Sequence, residues 1–236
     1  MDIIREKYLG IEGVRTVAVM ADPACRPEWR GNFPPLLEHV WRLHRPDLFL
    51  VAGDLAVHAT RREYRAILRA LDPYPAMLAA VPGDHDRPLA EFVRHFGPTR
   101  KVVDVGRWRF VGLNTSDRTF RRSEAAFLEQ HLRPGTLIFS HVPPRVEGWG
   151  FHSLPPVYSD RFLALLRRHR RRIRAAFFGH IHGYSRRESS GVPLFATGGA
   201  AESYAVRGNR YDGPGIFQMM IFKPATGRIS LCKLPR

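Results

Sequence analysis

Five short apolar runs, each ending abruptly in an acid or a histidine, constrain this chain more than any other feature. Residues 14–21 end at Asp22, residues 47–52 at Gly53-Asp54, and residues 77–81 at Pro82-Gly83-Asp84-His85-Asp86. Residues 136–140 end at His141, and residues 173–178 at Gly179-His180-Ile181-His182. Continuously apolar runs of this length read as strands covered on both faces. The segments between several of them have helical period: 34–45, 60–71 with Thr60 as N-cap, 89–96 stopped by Gly97 and Pro98, 123–132 capped by Ser123, and 160–169. Residues 102–105 and 109–113 form a hairpin around Gly106. The tail supplies strands at 192–197, 216–222 and 228–231 with no helices between them, the last two joined by a turn at 224–227. The expected fold class is therefore α/β, with a mixed sheet or two sheets. The 236 residues show no repeat, low-complexity segment or long linker, and one domain over 1–236 is expected.

Ligands of α/β sheets bind beyond the carboxyl ends of the strands. If these strands lie side by side, Asp22, Asp54, Asp84, His85, His141, His180 and His182 converge on one crevice. Taken singly each has an ordinary reading: an Asp after Gly is a common turn residue, and a lone His is usually just hydrogen-bonded. Taken together, a mixed Asp/His set suits two divalent cations of the manganese, iron or zinc type. The two histidines of Gly179-His180-Ile181-His182 stand two apart. Extended backbone points both the same way, whereas a turn lets them address two metals. The neighbouring glycines allow close approach of backbone.

In this series the chain resembles the calcineurin-like metallophosphoesterases, whose motifs DxH, GD, GNH[DE], a lone His and GHxH each stand at a strand end. Here they read Asp22-Pro23-Ala24, Gly53-Asp54, Gly83-Asp84-His85-Asp86, His141 and Gly179-His180-Ile181-His182, in order over roughly residues 14 to 200. The resemblance implies a β-sandwich of mixed sheets flanked by helices. It also implies two metals, manganese foremost, with iron or zinc as alternatives. Asp54 would bridge them, Asp22 and His182 would complete the first site, and Asp84, His141 and His180 the second. A hydroxide between the metals would attack a phosphate mono- or diester in line. His85 would protonate the leaving oxygen, with Asp86 orienting it.

Two positions depart from the family pattern. Ala24 stands where the family has the DxH histidine, so the first metal is expected to bind more weakly. Asp84 stands where the family has Asn and adds a negative charge at the second. Cys25, Glu28, His58 and His152 are the candidate replacements for the missing ligand, each with a structural role as its favoured reading. The lost ligand also supports an alternative: an impaired member that binds metal and phosphate without turnover.

The formal net charge is +15, and all but four of the 37 basic residues are arginine. Such a balance suggests an anionic partner: a phosphorylated substrate, nucleic acid or an anionic membrane surface. Cys25 and Cys232 belong to no CxxC, and neither a secretory signal nor a membrane-spanning run is present, so a cytoplasmic location is expected. The stretch 142–158, rich in Pro, Gly and aromatics, follows His141 and is expected to overhang the crevice. Nucleotides, phosphodiesters, phosphoproteins and lipid-linked pyrophosphates all stay open as substrates.

Overall fold

Residues alternate sides along each strand, and in this chain both sides are apolar. In the computed structural model, which describes residues 1–23, 33–150, 152–200 and 217–235, Val17 and Val19 of β3 (Val17–Met20) face a core between two sheets. Ala18 and Met20, on the other side of β3, face helices. The same alternation holds in β4 (Leu48–Ala52), where Leu48 and Leu50 turn inward and Phe49 and Val51 outward. A strand buried on both faces has no polar positions to spare, which is why these runs are continuously apolar.

The first sheet has the order β1-β5-β4-β3-β12-β13, adding β1 (Asp2–Ile3), β5 (Met77–Val81), β12 (Gln218–Lys223) and β13 (Arg228–Lys233). Strands β1, β5, β4 and β3 run parallel, and β12 and β13 are antiparallel additions. The second sheet has the order β10-β11-β9-β8-β7-β6-β2. Its members are β2 (Tyr8–Ile11), β6 (Lys101–Val105), β7 (Trp108–Gly112), β8 (Thr136–Ser140), β9 (Ile173–Phe178), β10 (Tyr184–Ser189) and β11 (Val192–Thr197). Helices α1 (Phe33–His44), α2 (Arg61–Leu71) and α3 (Ala90–Phe96) cover the first sheet. Helices α4 (Arg122–His131) and α5 (Pro156–His169) cover the second. The result is a β-sandwich of two mixed sheets flanked by helices, as expected. Among the described residues no helix is long and apolar enough to cross a membrane.

The structure corrects the sequence reading at several elements. Strands β1, β2 and β10 were not anticipated. The first two are short, and the edge strand β10 (YSRRES) buries only part of its length, so it carries no apolar run. Lys101 holds the N-terminal segment down: its buried ammonium donates to the carbonyls of Ile4 (2.6 Å), Glu6 (3.2 Å) and Phe96 (2.8 Å). Helix α5 starts at Pro156 rather than 160, since proline is at ease in a first helical turn. Ser123 is not a cap. Helix α4 opens at Arg122 with Arg121 at the cap position and no side-chain cap bond. Thr60 does cap α2, in a reciprocal box with Glu63.

Candidate metal centre

All five apolar strands of the sequence reading deliver their carboxyl ends to one side of the sandwich. Asp22 follows β3, Asp54 follows β4, Asp84 follows β5, His141 follows β8, and His180 follows β9. Main-chain bonds lock the loops together: Asp22 N donates to Gly53 O (3.0 Å), and Gly179 N donates to His141 O (2.9 Å). Eight non-glycine residues among those described have positive φ. Four are Asp22 (55°), Asp54 (56°), His180 (67°) and His182 (53°). A cluster of residues in this sparsely populated region marks a site whose side-chain directions are imposed by the surroundings.

The side chains converge in two groups that share His141. One is Asp84, His141 and His180; the other is Asp22, Asp54 and His141. Asp84 Oδ1 lies 2.9 Å from His141 Nε2 and 3.0 Å from His180 Nδ1. Asp54 Oδ2 lies 3.3 Å from His141 Nε2. The two Asp22 oxygens accept from His180 N at 3.1 and 3.2 Å. His182 sits at the edge, its Nε2 3.6 Å from Asp22 Oδ1. Glycines make the crowding feasible. A Cβ on Gly83 would run into the Asp54 carboxylate, and one on Gly53 (φ +89°) into the His141 ring.

His141 tests whether a cation fits. Its Nδ1 lies 2.9 Å from Ala52 O, and a carbonyl can only accept, so the ring proton is committed there. Neutral His141 then presents the Nε2 lone pair to two carboxylates. That arrangement is repulsive unless a proton or a metal ion lies between them. His180 Nε2 is likewise buried without a hydrogen-bond partner. Among the described residues, the ion-pair partners of Asp22, Asp54 and Asp84 are imidazoles alone. Three buried or half-buried carboxylates whose described ion-pair partners include no Lys or Arg, mixed with imidazoles, fit divalent cations of the manganese, iron or zinc type.

The electrostatics agree with a site waiting for positive charge. Burial opposes ionisation of Asp84, yet hydrogen bonds from His141 and His180 hold its carboxyl far below the usual range. Burial alone would lower His141. The charge of Asp54 and the bonds to Asp54 and Asp84 instead raise it well above an ordinary imidazole. Asp22, fully buried, is raised chiefly by desolvation.

His85 is placed by its neighbours rather than by Asp86. Its backbone N donates to Asp54 Oδ1 (3.0 Å), and its Nδ1 is bonded to Val57 O (3.1 Å), so the ring is held from one side. Burial lowers the His85 pKa, but the charge of Asp54, the Val57 carbonyl and Asp84 outweigh it and raise it. The expected role of Asp86 in orienting His85 does not hold. The Asp86 carboxylate is fully buried and turned the other way. It accepts from Gly83 N (2.9 Å), Ala56 N (3.2 Å), Leu55 N (3.3 Å) and the Tyr64 hydroxyl (3.0 Å). Burial and the charge of Asp54 push its carboxyl up to about 7. It clamps the loop that carries Asp54. Val57, Ala52 and Tyr64 are thus site residues that the sequence did not reveal, two of them acting through backbone carbonyls that leave no residue-type signal.

The stretch 142–158 does reach the site. Trp149 anchors it, buried and donating from Nε1 to Ser185 Oγ (2.9 Å). The ring of His152 lies 5.7 Å from that of His180, centroid to centroid. Of the other candidate replacement ligands, His58 is exposed and its backbone N donates to Glu63. Ala24, Cys25 and Glu28 lie outside the described residues.

The sequence model of the calcineurin-like phosphoesterases matches residues 15–184. No curated protein matches the chain in sequence. Among solved structures, GAP50, the anchor in the inner membrane complex of Plasmodium, is similar with a TM-score of 0.67 at 9% identity, covering 93% of this chain and 84% of that one. An archaeal phosphodiesterase is similar with a TM-score of 0.51 at 10% identity, covering 93% and 99%. Vps29 of Chaetomium thermophilum gives 0.49 at 13% identity, covering 93% and 94%.

Proposed function

The chain belongs to the calcineurin-like phosphoesterases, and from that premise we propose that it hydrolyses a phosphate mono- or diester with two divalent cations, manganese foremost. Asp22, Asp54 and His182 would hold the first; Asp54, Asp84, His141 and His180 would hold the second. Such ions, when bound, neutralise phosphoryl oxygens and make water a usable nucleophile at neutral pH. The chain's own residues supply the rest. Asp54 belongs to the ligand group of Asp22 and His141 and also accepts from His85 N, so one carboxylate would hold metal and position the acid. His85, its Nδ1 committed to Val57 O, offers Nε2 to the leaving oxygen as a proton donor. Ala52 O fixes the tautomer in which His141 Nε2 serves as a ligand.

The observation that carries this reading is His141. One ring nitrogen is committed to a backbone carbonyl, and the other faces Asp54 and Asp84, where a proton or a cation must lie between them. The test is to strip the protein of metal, reload it with manganese, and assay aryl phosphate mono- and diesters. Hydrolysis that follows metal loading and falls about a hundredfold or more in His85→Ala, with metal content kept, supports the reading. Metal uptake without hydrolysis of any ester would select the impaired, ligand-binding alternative.

A further inference from the structure

The linker from α5 into β9 carries the densest charge in the chain, at the end of the sandwich opposite the candidate metal centre. Arg167, Arg168, Arg170, Arg171, Arg172 and Arg174 are all exposed. Among the described residues only Arg168 has a carboxylate partner, Glu129 at 3.1 Å, and Arg174 touches the carbonyl of Gly227. Arg167, Arg170, Arg171 and Arg172 make no side-chain hydrogen bond or ion pair with any described residue. A concave space of about 370 Å³ lies between Arg168, His169, Arg170, Arg171 and Arg172.

A helix C-terminus favours nearby cations, and Arg167, Arg168 and His169 in the last turn of α5 already meet that preference. Arg170, Arg171 and Arg172 lie past the end of the helix, and holding three more guanidinium groups together costs repulsion with no carboxylate to offset it. One further exposed guanidinium stands at the same end of the sheet. Arg107, exposed and stacked over Trp108 at 4.8 Å, precedes β7, two strands from β9. At about 4.8 Å between strands, it stands roughly 10 Å beyond the cluster. Strand β9 separates Arg172 from His180 by about 20 Å, so the patch does not touch the metal centre.

We propose that this end of the molecule binds the phosphate backbone of nucleic acid, without reading sequence. Guanidinium forks match phosphate oxygens two at a time. The space between these guanidinium groups admits a projecting phosphate. The exposed large apolar side chains among the described residues are Tyr8, Leu43, Val93 and Val157, none of which stands in the patch to insert into lipid.

The test measures binding of a fluorescent DNA duplex by anisotropy across about 50 to 200 mM salt. Three proteins are compared: the unaltered chain; the triple variant Arg170→Ala, Arg171→Ala, Arg172→Ala; and a charge-matched control, Arg61→Ala, Arg65→Ala, Arg69→Ala, on the exposed face of α2. Loss of three phosphate contacts should lower the log–log salt slope by about 2.7, at roughly 0.9 per contact, and weaken binding about tenfold or more. The control should bind like the unaltered chain, and all three should hydrolyse a small phosphoester equally. Equal losses in both triples would mean that net charge alone drives binding, and unchanged binding in the linker triple would place the site elsewhere. No DNA binding, or capture by phosphatidylserine vesicles in its place, would also overturn the proposal.

Discussion

Replacing Asp86 by Asn separates a clamp from a catalytic partner. Its carboxylate serves four donors: the amides of Gly83 and Leu55 on one oxygen, and the amide of Ala56 and the Tyr64 hydroxyl on the other. Amides can only donate. An Asn side chain offers one accepting oxygen, so its NH2 must face at least one backbone N–H whichever way it is turned. The gentler orientation keeps Gly83 and Leu55 satisfied, lets the Tyr64 hydroxyl reverse, and orphans Ala56 N. One buried unsatisfied donor costs about 1–3 kcal/mol. For a chain of this size that lowers the thermal midpoint by roughly 3–10 °C. Asp86→Ala leaves all four donors without the carboxylate and should fall further. Because Leu55 and Ala56 follow Asp54 directly, both variants should also hold metal less tightly. An Asp86→Asn protein with an unchanged midpoint and a displaced pH profile of hydrolysis would refute the clamp and restore the role of orienting His85.

Asp54→Asn should lose metal from both positions, read as total metal per chain after dialysis; retention of one full equivalent would show that Asp54 serves only one site. Gly83→Ala, whose new methyl would meet the Asp54 carboxylate and backbone, should lose activity and about 1–3 kcal/mol of stability, checked by denaturant titration. Asp104 sits in a fork from Arg109 (2.7 Å to each oxygen), with Arg133 at 3.2 Å, and the Arg109 hydrogen bonds lower its pKa. A carboxyl lowered by folding contributes stability above its unfolded value of about 3.9 and loses it as pH falls through the folded value. Asp104→Asn should therefore cost about 1 kcal/mol at neutral pH, and the gap to the unaltered chain should close in acid.

The strands that build the centre were legible because their burial on both faces leaves no choice of residue type, and each candidate ligand stands one to four places past the last apolar residue of its strand. What lay off that pattern was not legible. Strand β10 is an edge strand, and its YSRRES sequence shows no apolar face long enough to register. Ser123 looked like a cap because Ser, Asp and Thr cap helices in general, but the chain enters α4 two residues earlier. The role given to Asp86 came from the resemblance and not from its surroundings: successive side chains in this tight turn diverge, and Asp86 is buried while His85 is exposed.

The glycines of the motifs carry a further distinction that sequence alone blurs. Each marks a place where backbone approaches something closely, but the reasons differ. Gly53 has φ +89° and is followed by Asp54 at 56°, so here glycine serves the turn itself. Gly83 and Gly179 have no such angle; their missing Cβ atoms leave room for Asp54 in one case, and for Ala21 and His141 in the other. The left-handed positions in the loops after β3 and β9 are occupied instead by Asp22, His180 and His182, which bear the strain that glycine would have avoided. Glycine at those positions would relax the backbone and remove the side chain that the turn exists to aim. The strain and the ligand set are therefore one feature: the left-handed turn directs a carboxylate or imidazole back over the strand end, and a residue without a side chain could not use it.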